Sequence, residues 1–215
     1  MRHNPVYALT DRAAVRRLVA EHPFVTIVSA TSRGLVASHY PVILDDTSAE
    51  TGDEEIVLLG HVGRPDEELH ELGEHDVLVV VHGAQGYVSP SWYDRSEPEV
   101  PTWNFTVAHL HGRPEILSAE ENYAVLGRFV DHFEAGLAHP RPLEGTPEDA
   151  ALAREIHRGT VGFRIRVTRV EAKRKLSQDK PDATVAHVID ELSADGLHAN
   201  PALAADMRAH TEETR

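Results

Sequence analysis

The spacing of apolar residues changes period several times along the chain, and each change marks a predicted element. Ala14, Val15, Leu18 and Val19 fall on one stripe of a helix over about 11–20, with Thr10 as its capping hydroxyl and His22-Pro23 as its stop. Phe24 to Ala30 then reads as a strand, Ser32-Arg33-Gly34 as a turn and Leu35 to Leu44 as the hairpin partner. Glu55 to His61 and Asp76 to His82 are two further strands rich in Val, Leu and Ile, separated by a helix from Pro65 to Leu72 with proline in its first turn. Gly86 to Ser89, Trp103 to Leu117 and Val161 to Val170 complete the strand set. In the second half Ser118 and Glu121 have capping-box spacing and open a helix to about Glu134. After a loop from Gly136 to Gly145, Thr146-Pro147 opens another toward His157. Asp182 and Asn200-Pro201 start two more, and 211–215 is expected to fray.

Strands with hairpin-length links, followed by helices interleaved with a last strand, predict an α+β fold: an antiparallel sheet or barrel with peripheral and C-terminal helices. The segments 24–30, 55–61 and 76–82 are apolar at nearly every position, which predicts cover on both faces, from helices or from a second subunit. The 215 residues are 41% hydrophobic, enough for a core and against a disordered chain. Lys+Arg of 21 against Asp+Glu of 35 gives a net charge of −14, which opposes a broad DNA-binding face. The absence of cysteine excludes disulfides, zinc-thiolate sites, iron–sulfur clusters and cysteine nucleophiles. No apolar run reaches membrane-spanning length, and Met1-Arg2-His3-Asn4-Pro5 leads into a polar segment rather than a signal peptide. A cytoplasmic protein with no membrane partner is the expectation.

Several segments carry more chemistry than a core needs. Ser38-His39-Tyr40-Pro41 lies in a strand that proline confines to an edge or a bulge; it reads either as the outer face of that edge or as a ligand contact. Gly60-His61-Val62-Gly63-Arg64 joins a strand end to a helix start, where free amides and a guanidinium suit an anion, although Asp66-Glu67-Glu68 follows at once. Both tryptophans fall in the block Tyr87-Val88-Ser89-Pro90-Ser91-Trp92-Tyr93 and Pro101-Thr102-Trp103-Asn104-Phe105, a wall for a planar ligand, a subunit interface, or a satellite core. The chain has fifteen histidines, and His109 and His111 share a strand face; they are a metal pair or, more commonly, hydrogen-bonded strand histidines. No Gly-x-Ser-x-Gly elbow is present. Lys173-Arg174-Lys175, the one dense basic run, follows the last predicted strand, as a solvated end or a phosphate contact.

Taken in order, these stretches resemble the PaiB family of FMN-binding negative transcriptional regulators. They are Ala37-Ser38-His39-Tyr40-Pro41, Gly60-His61-Val62, the Ser-Pro-Ser-Trp-Tyr and Pro-Thr-Trp-Asn-Phe blocks, Val107 to Gly112, Val161-Gly162-Phe163 and Lys175-Leu176-Ser177-Gln178. The resemblance implies a split β-barrel of the pyridoxamine-phosphate-oxidase type over 1–180, with a helical extension over 181–215. It also implies a homodimer with FMN in the cleft between subunits. Cofactor contacts are implied at Ser38, His39, His61, Arg64, Trp92, Trp103, Lys175 and Gln178. Any control of transcription would be indirect, given the charge. The stretch Arg64-Pro65-Asp66-Glu67 departs from the Asn-Pro-x-Trp element common in the family. The alternative implied is haem b with His61 as axial ligand, as in the related piperazate synthases, which close an N–N bond on an N-hydroxylated amine. Whether the protein is an enzyme stays open, and no catalytic residue is assigned.

Overall fold

Local signals set the helices, and the computed structural model, which describes residues 1, 2, 4–46, 55–93 and 99–213, keeps most of them where the pattern puts them. Helix α1 (Arg12–Glu21) buries Ala14, Val15, Leu18 and Val19, the predicted stripe. Helix α2 (Asp66–Leu69) is a single turn rather than eight residues, because Glu71 and Gly73 take left-handed backbone angles (φ 47° and 90°) that end it. Helix α3 (Ala119–Glu134) opens on a capping box in which Glu121 N–H donates to Ser118 Oγ (3.2 Å) and Ser118 N–H to Glu121 Oε2 (2.9 Å). Helix α4 (Pro147–Ile156) is capped by Thr146, and α5 (Asp182–Ser193) precedes α6 (Pro201–Glu213), where Asn200 Oδ1 accepts from Leu203 N–H (3.1 Å). The expected fraying is not seen at 211–213, which continue α6; 214 and 215 lie outside the described residues.

Eight strands form one sheet: β1 (Phe24–Thr31), β2 (Gly34–Leu44), β3 (Val57–Gly63), β4 (Val77–Val88), β5 (Thr102–Gly112), β6 (Pro114–Ile116), β7 (Thr160–Arg166) and β8 (Arg169–Lys175), in the order β6-β7-β3-β2-β1-β4-β5-β8. The pairs β1–β2, β1–β4, β2–β3, β3–β7 and β6–β7 are antiparallel, as expected. Three strand boundaries differ from the sequence reading. Gly86 to Ser89 is not a separate strand, since β4 runs on through His82 to Gln85, its burial alternation changing phase at Ala84-Gln85 without ending the strand. The run 103–117 divides at Arg113 because Pro114 brings no N–H to the ladder. The run 161–170 divides at Val167-Thr168, whose amides donate to Ile56 O and His111 O instead. The basic run therefore sits within β8 rather than after the last strand.

The chain separates into two compact units. One comprises 12–81 and 109–170; the other comprises 1–11, 82–108 and 171–215. In the first, cross-strand partners point to the same side, so the register assigns every residue to a face. Val25, Ile27 and Ser29 of β1 share the inner face with Ser38 and Tyr40 of β2, Gly60 of β3, Phe163 of β7 and Val79 of β4. Gly60 is required there: a Cβ would lie 2.3 Å from the Phe163 ring. On the outer face α3 covers Ile43 and Leu59 with Val125 and Phe129. It does not reach β1, where Phe24 is 68% exposed, or Leu35, 80% exposed. Two-sided cover, expected for all three apolar segments, is thus supplied to β3 by this chain but not to β1. Nearby, buried Asp45 accepts from Arg128 Nη1 (2.9 Å) and Arg164 Nε (3.4 Å). In the second unit α5 and α6 close a core of Val88, Tyr93, Leu176, Val188, Leu192, Leu203 and Met207.

Gly60→Ala will lower stability by about 1–3 kcal/mol through overpacking against Phe163, read as a fall in urea midpoint. Adding Phe163→Leu, which clears the ring, recovers part of that loss; two losses that simply add would refute the contact.

Candidate functional site

The pleat of β2 separates residues that are neighbours in sequence. Ser38 and Tyr40 face inward, and both hydroxyls donate to one oxygen, Asp66 Oδ2, at 2.9 and 2.8 Å. Gly63 N–H in turn donates to the Tyr40 oxygen at 3.3 Å. Burial, with the Asp66 carboxylate beside it, raises the Tyr40 pKa. His39 faces the other way, its Nδ1 3.0 Å from Thr26 Oγ1 and its ring against Phe24. The structure therefore does not bring His39 together with Ser38. Arg64 lies near Ser38's partner but is engaged: Nε donates to Arg158 O (3.3 Å), and Nη1 pairs with Glu67 Oε1. The other Glu67 oxygen is buried without a hydrogen-bond partner.

The same end of the inner face holds a pair that sequence reasoning missed. Ser29 Oγ and His70 Nδ1 are 2.7 Å apart, both side chains buried, and His70 Nε2 has no partner. Burial depresses the His70 pKa, with Asp66 opposing. Only the inward alternation of β1 hinted at Ser29, and its partner lies 41 residues away. His61 is on the outer face, its ring edge-on to Phe129 (centroids 5.2 Å apart), with Nδ1 buried and unpartnered. Burial lowers its pKa as well, favouring the neutral imidazole that ligates metals.

The remaining candidates belong to the other unit. Tyr87, Trp92 and Trp103 gather with His198, which the sequence reading did not select. The His198 ring is 4.9 Å from that of Tyr87 and 6.2 Å from that of Trp92, and Tyr87 is 6.4 Å from Trp103. Trp103 is 48% exposed and donates through Nε1 to Gln85 Oε1 (3.2 Å), while Trp92 packs partly on the α5–α6 core. Lys175 reaches Thr102 Oγ1 and lies over the Tyr7 ring; burial is the main cause lowering its pKa. Gln178 is engaged at both ends, accepting from Leu176 N–H (2.6 Å) and donating to Arg174 O (2.6 Å) and Val6 O (3.2 Å). Beside it Asn104 Nδ2 donates to Ser177 Oγ (2.8 Å), a buried bond that joins the Trp-Asn-Phe and Leu-Ser-Gln stretches. His111, which belongs to the first unit, has its Nδ1 3.0 Å from Arg169 Nη2, and among the described residues no three His, Asp or Glu side chains gather to hold a metal ion.

Two cofactor chemistries can be tested on these groups. The aromatic surface offers the faces and edges that stack on a flat ring. The Ser38–Tyr40–Arg64 donors would suit an anion, but as they stand they do not fit a phosphate, since carboxylates of the same chain occupy them. For haem, His61 offers a neutral imidazole whose Nδ1 lacks a partner of its own.

Residues 1–169 match the family described as "Putative FMN-binding domain". The chain is 30% identical over 188 residues to the Bacillus subtilis protease synthase and sporulation protein PAI 2, covering 86% of each. It belongs to the PaiB family. The structure is similar to the FAD and haem binding protein of Mycobacterium smegmatis (TM-score 0.57, 19% identity, 83% of this chain and 78% of that one). It is also similar to the flavocytochrome Anf3 of Azotobacter vinelandii (TM-score 0.58, 15% identity, 83% and 74%). These likenesses carry the fold, the split barrel expected for PaiB proteins. The family match stops before α5 and α6, so His198 lies outside it.

Because His61 and His70 bind protons less readily folded than at their ordinary pKa of 6.5, the unfolded chain takes up more protons below that pH. Their contribution is fully present above about pH 6.5 and is lost as pH falls below it. Urea midpoints above and below that pH should show the loss. His70→Gln, which keeps a hydrogen-bonding group for Ser29, should shrink it; an unchanged difference would place the acid sensitivity elsewhere.

Proposed function

We propose that this PaiB-family chain works as a homodimeric flavoprotein, with the flavin ring stacked on the surface made by Tyr87, Trp92, Trp103 and His198. The observation that carries the reading is that both tryptophans of the chain meet in one half-exposed aromatic cluster. A purely structural cluster would have no need to leave Trp103 in solvent. The family match supports a flavin, FMN being the form its description names. Dimerisation is supported by the outer face of β1 and β2, where the large apolar side chains Phe24 and Leu35 stand exposed. The net charge of −14 supports an indirect part in transcriptional repression rather than contact with DNA. No helix among the described residues is long and apolar enough to cross a membrane.

A second reading rests on His61: a haem protein with this imidazole as axial ligand, acting on an N-hydroxylated amine. Its neutral form and unpartnered Nδ1 favour it. In that case His61 would hold the haem, whose iron would supply a Lewis-acidic centre that helps the N–O bond break with loss of water.

The absorption spectrum of purified protein separates the two readings. A two-band flavin spectrum unaffected by His61→Ala supports the first; a Soret band lost on that substitution replaces it with the second. In the flavin case Trp103→Ala should weaken flavin binding by about 5- to 100-fold, the range of one aromatic stacking contact. Quenching of tryptophan emission during titration reads the affinity. Sedimentation should give a dimer, and Phe24→Asp together with Leu35→Asp should give a folded monomer; a monomeric wild type would end the dimer proposal.

A further inference from the structure

Between Arg64 and Asp76 the chain of the first unit runs along the polar end of the inner face, and only His70 and Leu72 of that stretch are buried. Most of what fastens it is polar. Ser38 and Tyr40 donate to Asp66, and Ser32 N–H donates to the two oxygens of Glu71 (3.1 and 3.0 Å). Arg33 Nη2 donates to Glu68 O (3.2 Å) and Arg113 Nε to Gly73 O (2.8 Å). His70 sits among these contacts, with Ser29 Oγ 2.7 Å from its Nδ1 and no partner for its Nε2. We infer that residues 64–76 form a strap over the inner face whose latch is His70. Neutral, the imidazole keeps the strap closed; protonated, it releases the strap and uncovers the hydroxyls of Ser29, Ser38 and Tyr40.

The closed state is built for an uncharged ring. Ser29 can bond Nδ1 in either tautomer, but a second proton would place an N–H at Nε2, which is buried without an acceptor, and a positive charge in a site closed to water. Burial is the main influence against the charged form; Asp66, on the same turn, opposes it, and His75 adds to it. Strand β1 brings no ionisable group here, β2 brings Tyr40, which burial and Asp66 keep protonated, and β3 turns His61 to the outer face. The outer charges are Arg33, Arg64 and Arg113 against Glu67, Glu68 and Glu71. The Ser32 bonds hold the Glu71 carboxyl below its ordinary pKa, so that fastening stays charged while a histidine titrates.

Because the closed strap binds the His70 proton less readily than the open one, closure is fully present above about pH 6.5 and is lost as pH falls below it. Release gives up little apolar burial, since Leu72 is the one buried apolar side chain of the segment. Glu71, held at φ 47° against the preference of any residue with a Cβ, is relieved by opening.

Hydrogen exchange followed by NMR on the full chain, expressed as protection factors, tests this at about pH 7.5 and about pH 5.5. The amides of Ser32, His70 and Leu72 bond Glu71, Asp66 O and Glu67 O when the strap is closed. They should lose protection about fivefold or more at the lower pH, and no more than about a hundredfold, the ceiling one proton sets over two pH units. The Val42 and Leu117 amides, bonded to Pro23 O and Gly162 O outside the strap, should keep theirs. The midpoint should match the titration of the His70 ring in the same spectra, below 6.5. His70→Gln should remove the response and His75→Gln should leave it. Strap protection that is independent of pH, or that falls equally in His70→Gln, overturns the inference. So does a response abolished by His75→Gln, or one in which Val42 and Leu117 lose protection with the strap. Ser29→Ala covers the case in which His70→Gln does not fold: it should lower strap protection already at about pH 7.5, with Val42 and Leu117 unmoved, and a strap as protected as in the wild type overturns the latch.

Discussion

The pleat of β2, read through its register with β1, is the constraint on which the chemistry of the first unit depends. Pairing Val25 with Tyr40 and Thr26 with His39 sends Ser38 and Tyr40 to the inner face and His39 to the outer one. Once two hydroxyls point inward at the end of a largely apolar face, each needs a partner, since a buried hydroxyl left unpaired costs about 1–3 kcal/mol. Asp66 meets that need for Ser38 and Tyr40, and His70, four residues on, meets it for Ser29. The short α2 turn is thus seated by polar groups at both ends. A one-residue slip of β2 would strand the Ser38 and Tyr40 hydroxyls and bury His39 in their place.

The same pleat shapes the other side of the sheet. Helix α3 fixes its Val125 and Phe129 over Ile43 and Leu59, and Gly162 allows the approach, since a Cβ there would lie 2.7 Å from Asn122. That helix is long enough for one end of the outer face only. Phe24, Val28 and Leu35 lie on the outer side without comparable cover, although β1 reads as a largely apolar run. The mismatch between runs written for two covered faces and a chain that covers one and a half is the physical reason to expect a second copy there.

How far the sequence disclosed this depends on the range of the interaction concerned. The α1 stripe and the Ser118–Glu121 box are decided within one or two helical turns, and both were legible residue by residue. The continuity of β4 through His82 to Gln85 was hidden because polar and small residues look like a turn until neighbouring strands hold them extended. The break between β7 and β8 was hidden because its cause is remote: Val167 and Thr168 give their amides to Ile56 and His111. Among the site candidates, the aromatic block was legible as a concentration of scarce residues. His198, more than ninety residues beyond Trp103, could join it only through the packing of α5 and α6. The motif Ser-His-Tyr-Pro was legible as unusual, but whether its hydroxyls faced a ligand or a carboxylate was a matter of tertiary register.

That last distinction bears on both cofactor readings at once. FMN brings a phosphate and haem brings propionates, so each needs cations with free donors. Arg64 is matched by Glu67 and by a backbone carbonyl. In the other unit Lys175 is spent on Thr102 and the Tyr7 ring, where burial already weakens its hold on a proton. Each of the cations first considered for an anionic tail already has partners in its own unit, and the aromatic surface leaves Trp103 half in solvent. Either anionic tail would therefore have to displace contacts that Arg64 and Lys175 already make within their own units.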